Sequence, residues 1–141
     1  MKYPIVFKKQ SLEEDVRRLF FQLGEHNKKL YPPYENQSHY GFFIKDGKKI
    51  LGGITGHIWL GTIRIDRIFV QEKLRGQGYG KQLLYQAETY GKIKGAYTVA
   101  LENLSFQKTL SFYIKHGYFI TYQEQNYSND VILYHLRKKL S

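Results

Sequence analysis

The sequence predicts an α/β (α+β) fold built on a mixed, mostly antiparallel central sheet of about six to seven strands flanked by three to four helices. Three observations point there. Short β-type runs alternate with stretches of helical period along the chain, and Asp46-Gly47 joins two of those runs with a strong hairpin signal. From Val70 to Leu84 an apolar strand passes through a glycine-rich turn directly into a helix. At 141 residues the chain has the length of one domain, and residues 1–141 are expected to form it without repeat or linker.

Taken in order, Tyr3 to Lys8 reads as a strand, and Ser11 with Glu14 reads as a capping box that opens a helix carrying Leu12, Val16, Leu19, Phe20 and Leu23 at helical spacing. Gly24 is the expected stop of that helix. The polar and aromatic segment from Glu25 to Ser38, with Pro32-Pro33, reads as a short helix followed by a loop. His39 to Lys45 and Lys49 to Leu60 form the hairpin, in which Gly52, Gly53 and Gly56 mark a bulge or a close backbone approach. Thr62 to Val70 returns as a third strand. Simple alternation puts Arg64, Asp66, Ile68 and Val70 on one of its faces and Ile63, Ile65, Arg67 and Phe69 on the other. The helix after the glycines carries Leu83, Leu84, Ala87 and Tyr90 along one stripe and ends at Gly91 or Gly95. Ala96 to Leu101 is a strand, and Phe106 to Lys115 a helix stopped at Gly117. Tyr118 to Gln123 with Val131 to Arg137 make a closing antiparallel pair.

Composition excludes several classes of function. Cysteine is absent, which removes disulfides, Cys-ligated zinc and a thiol nucleophile. The five histidines, His26, His39, His57, His116 and His135, show no metal-ligand spacing, so no metal is expected. No apolar run reaches the roughly 18 residues of a membrane span and the start lacks a secretory h-region, so a cytoplasmic protein that does not engage membranes is expected. The net charge of +10 calls for an anionic ligand or a soluble basic surface. Its lysines and arginines are scattered, which disfavours nucleic acid as a partner.

Gly76, Gly78 and Gly80 alternate after Arg75 and before a helix. Alternating glycines let backbone approach a ligand closely and point N–H groups the same way, and the helix adds the positive end of its dipole, a geometry suited to a pyrophosphate. The dinucleotide fingerprint fails because Lys81 and Leu83 stand where glycine is needed. The P-loop fails because Gln82 follows Lys81 and position 75 is Arg.

What remains, Arg-x-x-Gly-x-Gly at Arg75, Gly78 and Gly80, resembles the acetyl-coenzyme A loop of the GNAT superfamily of N-acetyltransferases. Residues Ser111 to Tyr118, SFYIKHGY, supply a second anchor: in that family a tyrosine lies at the spacing of Tyr113 before a Gly-aromatic helix end and often protonates the departing thiolate. The resemblance covers nearly the full length. It implies acetyl-coenzyme A as co-substrate and direct acyl transfer to a primary amine. Ile68, Phe69 and Val70 would align the pantetheine arm. The loop residues Gly76, Gln77, Gly78, Tyr79, Gly80 and Lys81 would hold the diphosphate, with Arg75 supporting the loop or reaching a phosphate. Where many members place an asparagine against the pantetheine this chain has Phe106, with Asn103 and Ser105 nearby as substitutes.

The resemblance makes Tyr113 the acid and Asp66 the best-placed base, with Glu102 as the alternative base and an enzyme without a dedicated base as a further one. Asp66 has a structural alternative, pairing with Arg64 or Arg67. An acceptor pocket would draw on Tyr31, Tyr34, Glu35, His39, Arg67 and Tyr122, with Glu35 on an ammonium and Arg67 on a carboxylate, which suits an amino acid or similar small amine. A macromolecular acceptor (a protein amine or aminoacyl-tRNA) and a non-catalytic acyl-coenzyme A-binding module are the other two readings. A monomer or homodimer is expected.

Overall fold

The computed structural model describes residues 1–141. By its internal contacts the chain divides into two compact units, Met1–Asn36 and Gln37–Ser141.

The first unit is one helix, α1 (Glu13–Leu30), with its flanking segments. Tyr3 to Lys8 is not a strand: Ile5, Val6 and Phe7 are exposed and no ladder includes them. β-type composition alone does not make a strand, because its backbone groups need a partner. The capping box also fails. The N-cap is Leu12 without a side-chain bond, Ser11 sits at a φ of 55°, and Glu13, Glu14 and Asp15 in the first turn complement the helix dipole instead. Nor does Gly24 stop the helix, which runs on to Leu30. Gly24 is the buried residue of α1, and a Cβ there would collide with the Asn36 side chain, so the glycine serves a close approach.

The second unit is a six-stranded sheet in the order β1-β2-β3-β4-β6-β5, made of β1 (Ser38–Asp46), β2 (Lys49–Trp59), β3 (Thr62–Val70), β4 (Thr98–Leu104), β5 (Phe119–Ser128) and β6 (Val131–Lys139). Neighbours are antiparallel except β3 and β4, which run parallel and are joined through α2 (Tyr79–Ile93). A parallel pair needs such a crossover, and the strand, glycine loop and helix supply it. The predicted hairpin forms, with Asp46 opposite Lys49, and Thr62–Val70 is a strand with the predicted bounds. The predicted helix Phe106 to Lys115 is shorter: a 3-10 turn at Ser105–Gln107 precedes α3 (Leu110–Lys115), and Gly117 at φ 93° ends it.

α2 buries Leu83, Leu84, Ala87 and Gly91, and Leu83, Leu84 and Ala87 join Ile54, Ile63, Ile65, Val99, Leu101 and Leu136 in one core. Gly91 lies inside the helix because a Cβ would stand 2.8 Å from Ile63 Cγ2, and the chain leaves the helix at Gly95, φ 86°. Tyr118 Oη and Lys138 Nζ both donate to the Glu88 carboxylate, at 2.7 and 2.9 Å, tying α2 to the last strands.

A bulge in β3 interrupts its ladder with β2. Gly56 opposes Ile65 while Thr55 opposes Arg67, so Asp66 is the extra residue. The expected alternation therefore breaks: Ile63 and Ile65 lie in the core, and beyond the bulge Ile68 and Val70 pack against that same core. Gly56 faces the bulge because a Cβ would strike the Arg64 carbonyl; Tyr40 Oη lies close by and donates to that carbonyl at 2.9 Å.

Candidate active site

β3 and β4 pair over four residues, from Thr62 opposite Thr98 to Ile65 opposite Leu101, and there their pairing ends. β3 stays bonded to β2 as far as Val70, opposite Gly52, and β4 to β6 as far as Leu104, opposite Leu133. The sheet thus opens a split at its centre, with Asp66 and Glu102 as the first residues past the last pair. In a parallel ladder the edges facing such a split carry unpaired amide groups able to hydrogen-bond an extended ligand.

On the α2 and α3 side, the split leads into a cleft of ≈ 690 Å³ that runs from Ile68, Phe69 and Val70 past the glycine loop to Phe106, Phe112 and Tyr113. Its charged lining is Arg75, Lys81 and Lys115, with His116 and no carboxylate. Gly76 and Gly78 adopt φ of 76° and 91°, and a Cβ on either would meet open space. These glycines are present for backbone conformation and room beside the chain, not to relieve a contact. The first α2 bond recorded from the loop is Gln82 N–H to Gly78 O at 3.1 Å, so the N–H groups of Tyr79, Gly80 and Lys81 precede the helical ladder. Gly80 has a different reason: a Cβ there would lie 3.2 Å from Phe112 Cζ, where α2 meets α3.

Of the two roles open to Arg75, the support of the loop is visible, because its Nε–H donates to the Val70 carbonyl at 2.9 Å and its guanidinium stands 5.6 Å from the Phe69 ring centroid. Tyr113 is 5 % exposed, set edge-on to Phe112 and Tyr118, and burial pushes its phenol up to about 12. Phe106 is largely exposed and lines the cleft. Asn103 is buried outside the lining, and its amide donates to Thr109 Oγ1 at 2.7 Å and Gln107 Oε1 at 3.3 Å, which holds the turn leading into α3. Gln107, Thr109 and Lys115 join the lining through the fold of that turn, which spacing in the sequence does not reveal.

Asp66 pairs with neither Arg64 nor Arg67. Its Oδ2 lies 3.0 Å from His57 Nδ1, and the His57 ring stands 5.8 Å from that of His39. Arg64 instead lies 3.6 Å from Glu102, which also faces His135 at 3.9 Å. His57 had no signal in the sequence, since a strand separation of nine residues and a bulge bring it to Asp66. Arg67 is exposed beyond the bulge and lines neither the cleft nor the pocket beside β5. Tyr31, Tyr34 and Glu35 follow α1 in the first unit, where Tyr34 N–H donates to the Tyr31 carbonyl at 2.8 Å.

A sheet split beneath a glycine loop, with a cationic cleft at its mouth, defines a class of protein able to hold an extended anionic ligand against open strand edges. Residues 9–118 match the acetyltransferase (GNAT) family, and the chain belongs to that family. It is 29% identical over 73 residues to an acetyltransferase of Agrobacterium fabrum, and spans 53% of that curated relative's length. Among solved structures, an acetyltransferase from Bacillus cereus superposes with a TM-score of 0.76 at 27% identity, covering 98% of both chains. A Bacillus anthracis chain described as a streptothricin acetyltransferase, solved with acetyl-coenzyme A, superposes with a TM-score of 0.65 at 24% identity over 80% of this chain and 68% of that one. No helix is long and apolar enough to cross a membrane.

Proposed function

We propose that the chain is a single-domain N-acetyltransferase that moves an acetyl group from acetyl-coenzyme A to the primary amine of a small molecule, by direct transfer with both substrates bound. The observation that carries this reading is the split between β3 and β4 opening into a carboxylate-free cleft beneath the glycine loop. Acetyl-coenzyme A would supply the activated acyl carbon and a thiolate leaving group.

The N–H groups of residues 76–81 bind the diphosphate, and Lys81 and Lys115 add charge that a low-dielectric wall strengthens. Arg75 keeps the loop on the end of β3 through the Val70 carbonyl. Backbone groups of Ile68 and Phe69 on the open edge pair with the pantetheine amides, and Phe106 covers its apolar stretch. Tyr113 is neutral at any working pH, because its phenol is held at about 12. It donates a hydrogen bond to the departing sulfur. A thiol near 8.5 is the stronger acid, so Tyr113 shares its proton and does not lose it outright. Asp66, at the mouth of the split, takes the amine proton directly or through one water, and His57 keeps that carboxylate aimed.

The test is release of free thiol from acetyl-coenzyme A with amino acids, polyamines, aminoglycosides and peptides offered in turn. Turnover with a small amine supports the reading, and binding of the thioester without turnover of any amine contradicts it.

A further inference from the structure

On the face of the sheet away from α2, Arg64 of β3 is paired with Ala100 of β4, and Ala100 with Arg137 of β6. Side chains paired across strands point the same way, so two guanidiniums flank a methyl-sized floor in one cross-sheet row. Tyr122 and His135, with ring centroids 5.3 Å apart and planes tilted by 42°, form the adjoining wall. Together they line a pocket of ≈ 220 Å³. Neither guanidinium is within hydrogen-bond distance of a protein acceptor: Arg64 has only Glu102 at 3.6 Å, and Arg137 has no ion-pair partner. The carboxylates nearest to it do not line the pocket. Glu102 lies two residues along β4 toward the split, and Glu124 is engaged by His135 Nε2 at 3.2 Å.

We propose that this pocket binds the anionic group of the acceptor, so that the substrate is a short amine carrying a carboxylate or phosphate. Resting on the acetyltransferase reading, the assignment places the amine at the mouth of the split between Asp66 and Glu102. Two residues along a strand span about 6.6–6.8 Å, and the arginine side chains reach part of that way, which suits a short amino acid. Arginine forks match a carboxylate or phosphate bidentately, and a lining with two guanidiniums and no carboxylate disfavours a second ammonium.

The experiment follows arginine Nε–H signals by NMR, with and without saturating coenzyme A, assigned by their loss in Arg64→Gln and Arg137→Gln. The probes are glycine, β-alanine and 4-aminobutyrate against their amides, and phosphoethanolamine against ethanolamine. Saturable shifts of both signals with the acids and not the amides support the proposal, and the phosphoethanolamine arm shows which anion is preferred. Arg137→Gln is then expected to raise the KM of the preferred amine about tenfold, the loss expected for one hydrogen bond to a charge, while coenzyme A binds as before. Equal responses to acids and amides, or none to either, overturn it. Failure to bind coenzyme A would overturn the acetyltransferase reading alone, since the arginine signals report on the pocket without it.

Discussion

Asp66 Oδ2 lies 3.0 Å from His57 Nδ1, across the one place where β2 and β3 fall out of register. Alternation from Ile65 points Asp66 off the core face, the end of the β3–β4 pairing leaves it beside the split, and the bulge then returns Ile68 and Val70 to the core. Asp66→Asn is expected to lower kcat/KM on the order of 10²-fold, the usual share of a general base. His57→Gln, which leaves the carboxylate without its aim, should lower it less. Steady-state rates check this, and unchanged rates in both variants would refute the base role.

Tyr113→Phe removes a hydroxyl from the cleft wall and keeps the ring that packs on Phe112 and Tyr118. Turnover is expected to fall on the order of 10²-fold, since a preorganised hydrogen-bond donor to the developing charge contributes about that much. Thermal stability and the Kd of coenzyme A should stay near wild type. The comparison of kcat with Tm and Kd separates a hydrogen bond to the leaving sulfur from a packing role.

Burial raises the phenols of Tyr113, Tyr40 and Tyr118, with Tyr113 at about 12. In an unfolded chain each titrates near 10. Below that value both states keep the proton and the contribution to stability is complete. As pH climbs from about 10 toward 12 the unfolded state ionises first, binds fewer protons than the folded one, and stability is lost. Denaturant unfolding across this window should show the decline. An ultraviolet phenolate titration should find these three tyrosines ionising only as the protein unfolds.

Gly56→Ala is expected to destabilise by about 1–3 kcal/mol, as an overpacked site does. The new methyl meets the Arg64 carbonyl, a backbone group, and Tyr40 Oη, so the strand must shift to admit it. A fall in Tm of roughly 3–12 °C is the readout. Gly47→Ala offers a contrast, for nothing lies within 4 Å there and the cost comes only from a φ of 59°.

The features readable from the chain were those with local causes. Asp46-Gly47 fixed the hairpin, and the alternating glycines the loop at the head of α2. Features that depend on distant partners were not readable. Tyr3 to Lys8 has strand composition without a strand beside it. Gly24 looks like a helix stop until Asn36 is known to lie against it. The bulge at Asp66 exists only in the pairing of β3 with β2, so alternation along β3 put Ile68 on the wrong face. The cleft was legible as a glycine loop and a tyrosine, whereas the pocket of Arg64, Ala100 and Arg137 comes from a strand order, β3-β4-β6, that no local pattern encodes.

If the loop from Gly76 to Lys81 holds the diphosphate on its main-chain amides, calorimetric titration of acetyl-coenzyme A into wild type and Gly78→Val will show it. Valine at a φ of 91° costs about 1–2 kcal/mol of strain and fills the open side of the cradle without striking a neighbour. Saturable one-to-one binding is expected for the wild-type protein, weakened at least about tenfold in a variant that still folds by circular dichroism. Equal affinity in both proteins, or no heat from the wild type, would contradict a main-chain diphosphate cradle.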